Sequence, residues 1–504
     1  MLHVHGVTRL RAVLRLRCGN LRRCTGSGEE ARRHRAGVQH RGVVDGLLRV
    51  AGCGAAPELP VRDGAGHSVI APPPVAPVEH LPGYGPVRGR QVAGYVPVSE
   101  AQDAHLYVWF IEHADAEPDA PIVLWLNGGP GSSSFLGLFA ENGPYRIRPD
   151  GTLADNPFGW NTAAGYLMID QPAGTGLSVV ESPEAWARTE EEATRQLLYA
   201  LQQLFDLLPD LRSRDLYLFG ESFAGVYIPM LAHAILQSND DGGSPIELKG
   251  IGVGDGWVDP VLQQRTYGAY AYAHGLIDTS QVAHVHELYG ACAAAIERNH
   301  PASRQADRIC NRIEAYITAV SGGANVYDVR MIGDYDFTPI GTYLDRPDVR
   351  EALHVDLAAP AWADTSKRVG FLLEKGEQDS VAGLYPALFE RLRVLIYNGV
   401  FDMDCNFMGT DAWICALDWS FRDEFLSTSR IPWLVDGVLA GRFRRARTLT
   451  QLLVDGAGHL VPMDQPQNAL RLLEQFLGSG IAGDTSASAE PQPGNGDRLL
   501  SPGC

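Results

Sequence analysis

Short apolar runs bounded by turn-forming residues recur through the middle of the chain. They lie at Val92–Val98, Leu106–Ile111, Ile122–Leu126, Tyr166–Ile169, Leu216–Phe219, Ile251–Val253, Val394–Tyr397 and Leu452–Val454. Runs of this kind predict strands. Between several of them lie stretches with helical character, Thr189–Leu208 and Phe223–Gln237. The first two runs sit close together and predict an antiparallel hairpin. The later ones, separated by helices, predict βα units around a mostly parallel central sheet. After Ile251–Val253 the alternation breaks, and from about Asp259 to Tyr385 helical segments and loops replace strand signals. An insertion of that size between two core elements reads as a helical cap (259–385) over a site, a separate domain being the other reading. The core is then split into residues 81–258 and 386–478. No internal repeat is evident.

Composition changes this picture mainly at the ends. The chain has 504 residues, 45% hydrophobic and 20% charged, enough for a sizeable core. Its formal charge of −18 is uneven, because residues 1–50 carry +8 and the rest −26. An acidic body argues against nucleic acid as a partner. No apolar run approaches the roughly 18 residues of a membrane span. The first 70 residues are rich in Arg, Gly and His, and their leucines are interrupted by arginines. They lack the apolar stretch of a secretory signal. With the Pro-rich linker Ala71–Pro77 they read as a disordered leader, residues 1–80, the folded chain starting near Leu81. Residues 479–504, rich in Gly, Ser and Pro, read as a disordered tail. Eight cysteines are too few for a disulfide-built scaffold. Cys292 and Cys310 bracket a loop-rich segment and could form a bridge, which would imply an oxidising compartment. Cys405 and Cys415 are a second candidate pair. No cysteine spacing looks like a metal site.

The chemistry begins at Gly220-Glu221-Ser222-Phe223-Ala224-Gly225, between a predicted strand and a predicted helix. A serine between small residues at such a junction reads as a nucleophile elbow, or as an ordinary strand-turn-helix corner. A serine nucleophile needs a base and a group that orients the base. In α/β hydrolases the acid and then the histidine follow the serine in the chain. Asp402 ends the run starting at Val394, and His459 lies in the Gly-rich loop after Leu453-Val454. Asp404 competes with Asp402 for the orienting role, and Asp455 could be a solvated loop residue. The loop Asn127-Gly128-Gly129-Pro130-Gly131 follows the strand at Ile122–Leu126. Bare backbone N–H groups there could meet a developing oxyanion. No G-K-[ST] follows, so a phosphate cradle is excluded, and a purely structural loop is the remaining alternative.

Over roughly Leu81 to Gly478 the chain resembles the serine carboxypeptidase family of the α/β-hydrolase fold. The resemblance rests on W-L-N-G-G-P-G-S-S-S at Trp125–Ser134, N-P-F-G-W-N at Asn156–Asn161 and I-D-Q-P-A-G-T-G-L-S at Ile169–Ser178. G-E-S-F-A-G at Gly220–Gly225 and G-A-G-H-L-V-P-M-D-Q-P at Gly456–Pro466 complete it. It implies Ser222 as nucleophile, Asp402 as orienting acid and His459 as general base. The resemblance prefers Asp402 to Asp404 because Asp402 lies three residues before Cys405-Asn406, as the family's triad acid does. The implied oxyanion donors are the backbone N–H groups of Gly129 and Phe223. A substrate's terminal carboxylate would be read by Asn127, Glu141 and Glu221, with Trp125 a structural neighbour. Two glutamates forced together share a proton, so this reading predicts peptide binding that is tight in acid and weakens as the pair ionises.

The implied activity is removal of single residues from peptides with a free C-terminus, without metal or organic cofactor. An acyltransferase of the same fold and a non-catalytic binding protein are the rivals. The resemblance favours an extracytoplasmic location, secreted or periplasmic, although no clear signal peptide is present. Three departures stand out. Ser132 lies where many relatives have Cys, Val400 replaces a common acidic residue, and Asp255 stands where relatives usually have Asn. None of the three is expected to touch the triad.

Overall fold

The computed structural model describes residues 72–298, 304–356, 359–478 and 481, all within the compact unit Pro57–Cys504. The leader before residue 72, the tail after residue 481, and Cys18, Cys24, Cys53 and Cys504 lie outside the described residues. Twelve strands form one mixed sheet: β1 Ala76–Pro77, β2 Gln91–Pro97, β3 Ala104–Ile111, β4 Ile122–Leu126, β5 Gly165–Asp170, β6 Val179–Val180, β7 Leu216–Ser222, β8 Leu248–Gly256, β9 Arg393–Gly399, β10 Ile431–Val435, β11 Val438–Ala446 and β12 Leu449–Val454. The spatial order is β1-β2-β3-β5-β4-β7-β8-β9-β12-β11-β10, with β6 beside β3. The six central strands, from β5 to β12, run parallel, and antiparallel strands close both edges. This is the α/β-hydrolase architecture, and the chain ends of its parallel strands converge on one edge of the sheet.

Alternation along the central strands explains the two cores. Leu124, Leu126, Leu218 and Ile251 pack on one face with Leu197 and Leu201 of helix α1 (Glu190–Leu207) and Ile228 and Leu231 of α2 (Ala224–Asp240). Val123, Trp125, Tyr217 and Phe219 pack on the other with Leu472 and Phe476 from the C-terminal helix, Pro466–Leu477. Strands covered on both faces read as nearly continuous apolar runs, which is why they were visible in the sequence.

Three differences from the sequence reading have physical causes. The Pro-rich linker is in part structured, since Ala76 and Pro77 pair with β2 at the sheet edge, where a missing N–H costs nothing. Strand β8 runs beyond Ile251–Val253 on both sides, from Leu248 to Gly256, where Gly250, Gly254 and Gly256 mask the pattern. A Cβ at Gly252 would collide with the Phe219 ring and one at Gly254 with Tyr397. The β10–β11 hairpin was not foreseen, although Asp436 (φ 50°) and Gly437 (φ 77°) between two apolar runs make the left-handed pair of a two-residue hairpin turn.

Between β8 and β9 the chain is helical. Its helices include α3 (Thr279–Arg298), α4 (Arg304–Cys310) and α5 (Arg312–Val320), the first two joined by the Cys292–Cys310 disulfide. Cys405 is a buried free thiol and Cys415 is disulfide-bonded, so the Cys405–Cys415 pairing is not formed.

Candidate active site

Strand β7 ends on Ser222, whose φ of 61° is strained for any residue with a Cβ. Phe223 follows and α2 starts at Ala224, so the serine stands at the crest of a sharp strand-to-helix turn. The flanking glycines are required by packing. A Cβ at Gly220 would lie 2.5 Å from the Leu126 carbonyl oxygen, and one at Gly225 would lie 2.6 Å from that of Trp257. Strand β4 neighbours β7, which drops the loop after β4 directly onto the elbow. A Cβ on Gly128 would strike the backbone nitrogen of Phe223 and come within 2.8 Å of the Glu221 carbonyl oxygen. Gly129, at φ 108°, takes a conformation that side chains avoid. Bare backbone from two loops therefore meets beside Ser222.

On the other side, β9 and β12 are parallel neighbours with Gly399 opposite Val454, so the loops that follow them emerge together. His459 Nδ1 lies 3.0 Å from Asp402 Oδ2, and both residues are buried. Asp402 also accepts the backbone N–H groups of Asp404 and Cys405, at 3.0 and 3.1 Å. Burial pushes the Asp402 carboxyl up, against the pull of His459 and its hydrogen bond. For His459 burial pushes down, but the Asp402 carboxylate, their hydrogen bond, Asp404 and Glu141 outweigh it, and its pKa is raised. The competing Asp404 turns its carboxylate instead toward the Tyr267 hydroxyl, which donates to Oδ1 at 3.3 Å and to the backbone carbonyl at 2.7 Å. Asp455 forms an ion pair with Arg442 at 3.6 Å, half-exposed.

The segment Asn325–Arg330 ties these loops together, and no motif in the sequence marks it. The Tyr327 carbonyl accepts the N–H of His459 at 2.7 Å, and the Val326 carbonyl accepts those of Met403 and Asp404. Arg330 donates to Asp328, to the Gly456 carbonyl and to Asp464, whose carboxylate in turn accepts the Gly458 N–H at 2.7 Å. Its guanidinium lies over the Phe401 ring at 4.6 Å, and the Tyr327 ring lies 4.9 Å from that of His459.

A second buried cluster sits beside Ser222. Asn127 Oδ1 accepts from Trp125 Nε1 at 2.9 Å and from the Gly137 N–H at 3.0 Å. Those donors fix the amide, so Nδ2 points at Glu221 Oε1 (2.8 Å) and Glu141 Oε1 (3.0 Å). Both glutamates are buried and gathered on one amide, with the Oε2 atom of each left without a partner among the described residues. Two carboxyls so confined favour sharing a proton. Burial, then the charge of Glu141, pushes Glu221 well up; burial also raises Glu141. The pair holds a neutral acid at a pH where an ordinary glutamate would be charged.

One expectation is corrected. Asp255 does reach the triad, because its fully buried carboxyl accepts the N–H of Gly399, whose carbonyl accepts the N–H of Asp402, and the charge of Asp402 acts on that carboxyl. The Ser132 hydroxyl, in contrast, bonds that of Thr365 at the surface, at 3.0 Å. Asp402, Cys405 and His459 present ligand atoms within 4.8 Å of one another. Burial pushes the Cys405 thiol well up, away from the thiolate that a metal requires.

Residues 82–479 match the family model for serine carboxypeptidases. The serine carboxypeptidase S10 family member 1 of Dictyostelium discoideum is 34% identical over 394 residues, 77% of this chain and 94% of that protein. Serine carboxypeptidase 3 of Hordeum vulgare is 35% identical, over 76% of this chain and 77% of that protein. Among solved structures, a prohormone-processing carboxypeptidase from Saccharomyces cerevisiae matches with a TM-score of 0.70. It is 26% identical, over 77% of this chain and 91% of that one.

Proposed function

The chain belongs to the serine carboxypeptidase family, and we propose that it removes C-terminal residues from peptides with Ser222 as nucleophile, His459 as general base and Asp402 as the orienting acid. Ser222 attacks the carbonyl carbon of the last peptide bond while His459 takes its proton. The oxyanion forms against the N–H groups of Gly129 and Phe223. His459 then protonates the leaving amine, and water repeats the sequence on the acyl-enzyme to release the shortened peptide. The helical segment 259–385 serves as a cap, a reading supported by the hold of Asn325–Arg330 on both loops of the acid–base pair.

The observation that carries the exopeptidase reading is the buried Asn127–Glu141–Glu221 trio ending one residue before Ser222. A terminal carboxylate can be met there by the Asn127 amide and by a glutamic acid that donates its proton. An interior peptide segment has no charge to offer in exchange for those buried donors.

The two clusters impose opposite pH limits. Activity rises as His459 loses its proton, and its raised pKa moves that ascending limb up. Peptide binding falls as the Glu141–Glu221 pair ionises, and the raised pKa of Glu221 moves that descending limb up as well. Peptides therefore give a bell, whereas an ester without a free carboxylate shows the rise alone.

The deciding experiment incubates a blocked dipeptide at about pH 5 and about pH 8 with wild type and Ser222→Ala. Terminal amino acid is expected from wild type, with a peptide-to-ester rate ratio that falls from the lower pH to the higher. Ser222→Ala should lose about 10⁴-fold or more. Product forming only with an added acyl acceptor would assign acyl transfer, and no turnover at either pH would sink the enzymatic reading.

A further inference from the structure

Strands β8 and β9 are parallel neighbours, paired as far as Gly254 opposite Tyr397. The next residue of β8, Asp255, has a φ of 41°, which turns its carboxyl toward the loop that carries Asp402. That carboxyl accepts the Gly399 N–H at 3.0 and 3.1 Å and the Asn398 amide at 3.3 Å. Asp402 folds back on the same residue through its own N–H to the Gly399 carbonyl, at 3.3 Å. Tied to Gly399 from both sides, the two carboxyls are brought against each other with no exposed surface.

A hydrogen bond between two carboxyls needs one proton. Asp402 has the surroundings of the anion, since His459 Nδ1 and two backbone N–H groups point at its oxygens. Asp255 faces Asp402, Cys405, Glu221, Tyr270 and Tyr397, all acidic or neutral groups. We propose that Asp255 is a positioning residue of the acid–base pair: as a neutral acid it donates its proton to Asp402, so the two carboxyls present a single negative charge to His459. This rests on the roles proposed above for Asp402 and His459. Burial, then the charge of Asp402, pushes Asp255 well above the carboxylate range, in keeping with a retained proton. The bond weakens Asp402 as a base and limits how far His459 is pushed up. It also fixes the Asp402 carboxyl from the side opposite the imidazole.

The test follows kcat/KM against pH with an ester lacking a free carboxylate, so that Glu141 and Glu221 do not enter. Asp255→Asn keeps the shape and an N–H donor without a charge. Its rate should stay within about threefold of wild type, and its ascending limb within about 0.3 pH unit. If Asp255 were charged, this variant would remove an anion near His459 and lower the limb by about one pH unit or more, which overturns the proposal. Asp255→Leu removes the donor. Its limb should rise by about half a pH unit, with kcat down about tenfold, whereas a rate loss with an unmoved limb would mean a merely structural part. If Asp255→Leu does not fold, infrared spectroscopy decides, because a carboxylic-acid C=O band of wild type must vanish in Asp255→Asn. A band unchanged in that variant refutes the neutral acid. Ester hydrolysis that survives in Ser222→Ala would instead overturn the triad reading.

Discussion

The two halves of the site are built by different means. The elbow half, with Ser222, Gly128, Gly129 and the Asn127–Glu221 contact, grows from adjacent strands β4 and β7 and is shaped by backbone sterics. The acid–base half, with Asp402 and His459, stands on the loops after β9 and β12 and is held by hydrogen bonds and ion pairs from residues 325–330. Steric exclusion is all-or-none, since an added methyl either fits or does not. A polar clasp is graded, because each bond removed leaves others in place.

The largest effect should follow from breaking the elbow half. Gly128→Ala would force a Cβ into the backbone nitrogen of Phe223. Loss of about 10³-fold or more in kcat/KM on any substrate is expected, since an oxyanion donor is displaced. Activity within tenfold of wild type would show that this loop yields, and the contrast would collapse.

Glu221→Ala tests the same half at its recognition end. Hydrogen bonds to a charged group contribute about 1.5–3 kcal/mol, so kcat/KM on a blocked dipeptide near pH 5 should fall about 10- to 100-fold. An ester without a carboxylate should change by less than about threefold. Equal losses on both substrates would place Glu221 in the architecture of the elbow rather than in reading the peptide end.

In the other half, Arg330→Leu removes the links to Asp328, Gly456 and Asp464 together. A drop of about tenfold in kcat with KM within about threefold is expected, because the imidazole loses aim rather than identity. A loss as large as that of Gly128→Ala would mean that this half has no redundancy.

The smallest effect is on stability, and it comes from buried carboxyls outside the two halves. Burial is the largest cause that raises Asp307 to about 6, Asp170 and Glu190 to about 7 and Glu377 to about 8. Acids raised on folding stabilise the native state fully below their unfolded values, near pH 4, and that stability is lost as pH rises through the folded values. Tm should therefore be lower at pH 8.5 than at pH 5, by about 5 °C. A Tm that rises over this interval would show that these carboxyls are ionised in the native state.

How much was legible follows the same division. Ile122–Leu126 was read to the residue, because both faces of a central parallel strand are apolar. The glycine-masked end of β8 and the Asp436-Gly437 hairpin were not, the first because contacts with Phe219 and Tyr397 lie in other strands. Asp402 and Asp404 stood as rivals in the sequence, two residues apart in one loop. The contact at 3.0 Å with His459 separates them, and it depends on β9 lying next to β12.

The sequence by itself determined the local chemistry of the elbow: a serine between small residues, a Gly-Gly loop after a strand, and an acid and a histidine in that order. These are backbone requirements, and a backbone requirement selects residue types within a few positions. Only the tertiary structure decided the company that the acid keeps. Asp255 lies 147 residues before Asp402 in the chain, and Arg330 lies 126 before Gly456. Charge sharing and ion pairing depend on distance in space, and here that distance is set by strand order, which no stretch of sequence displays.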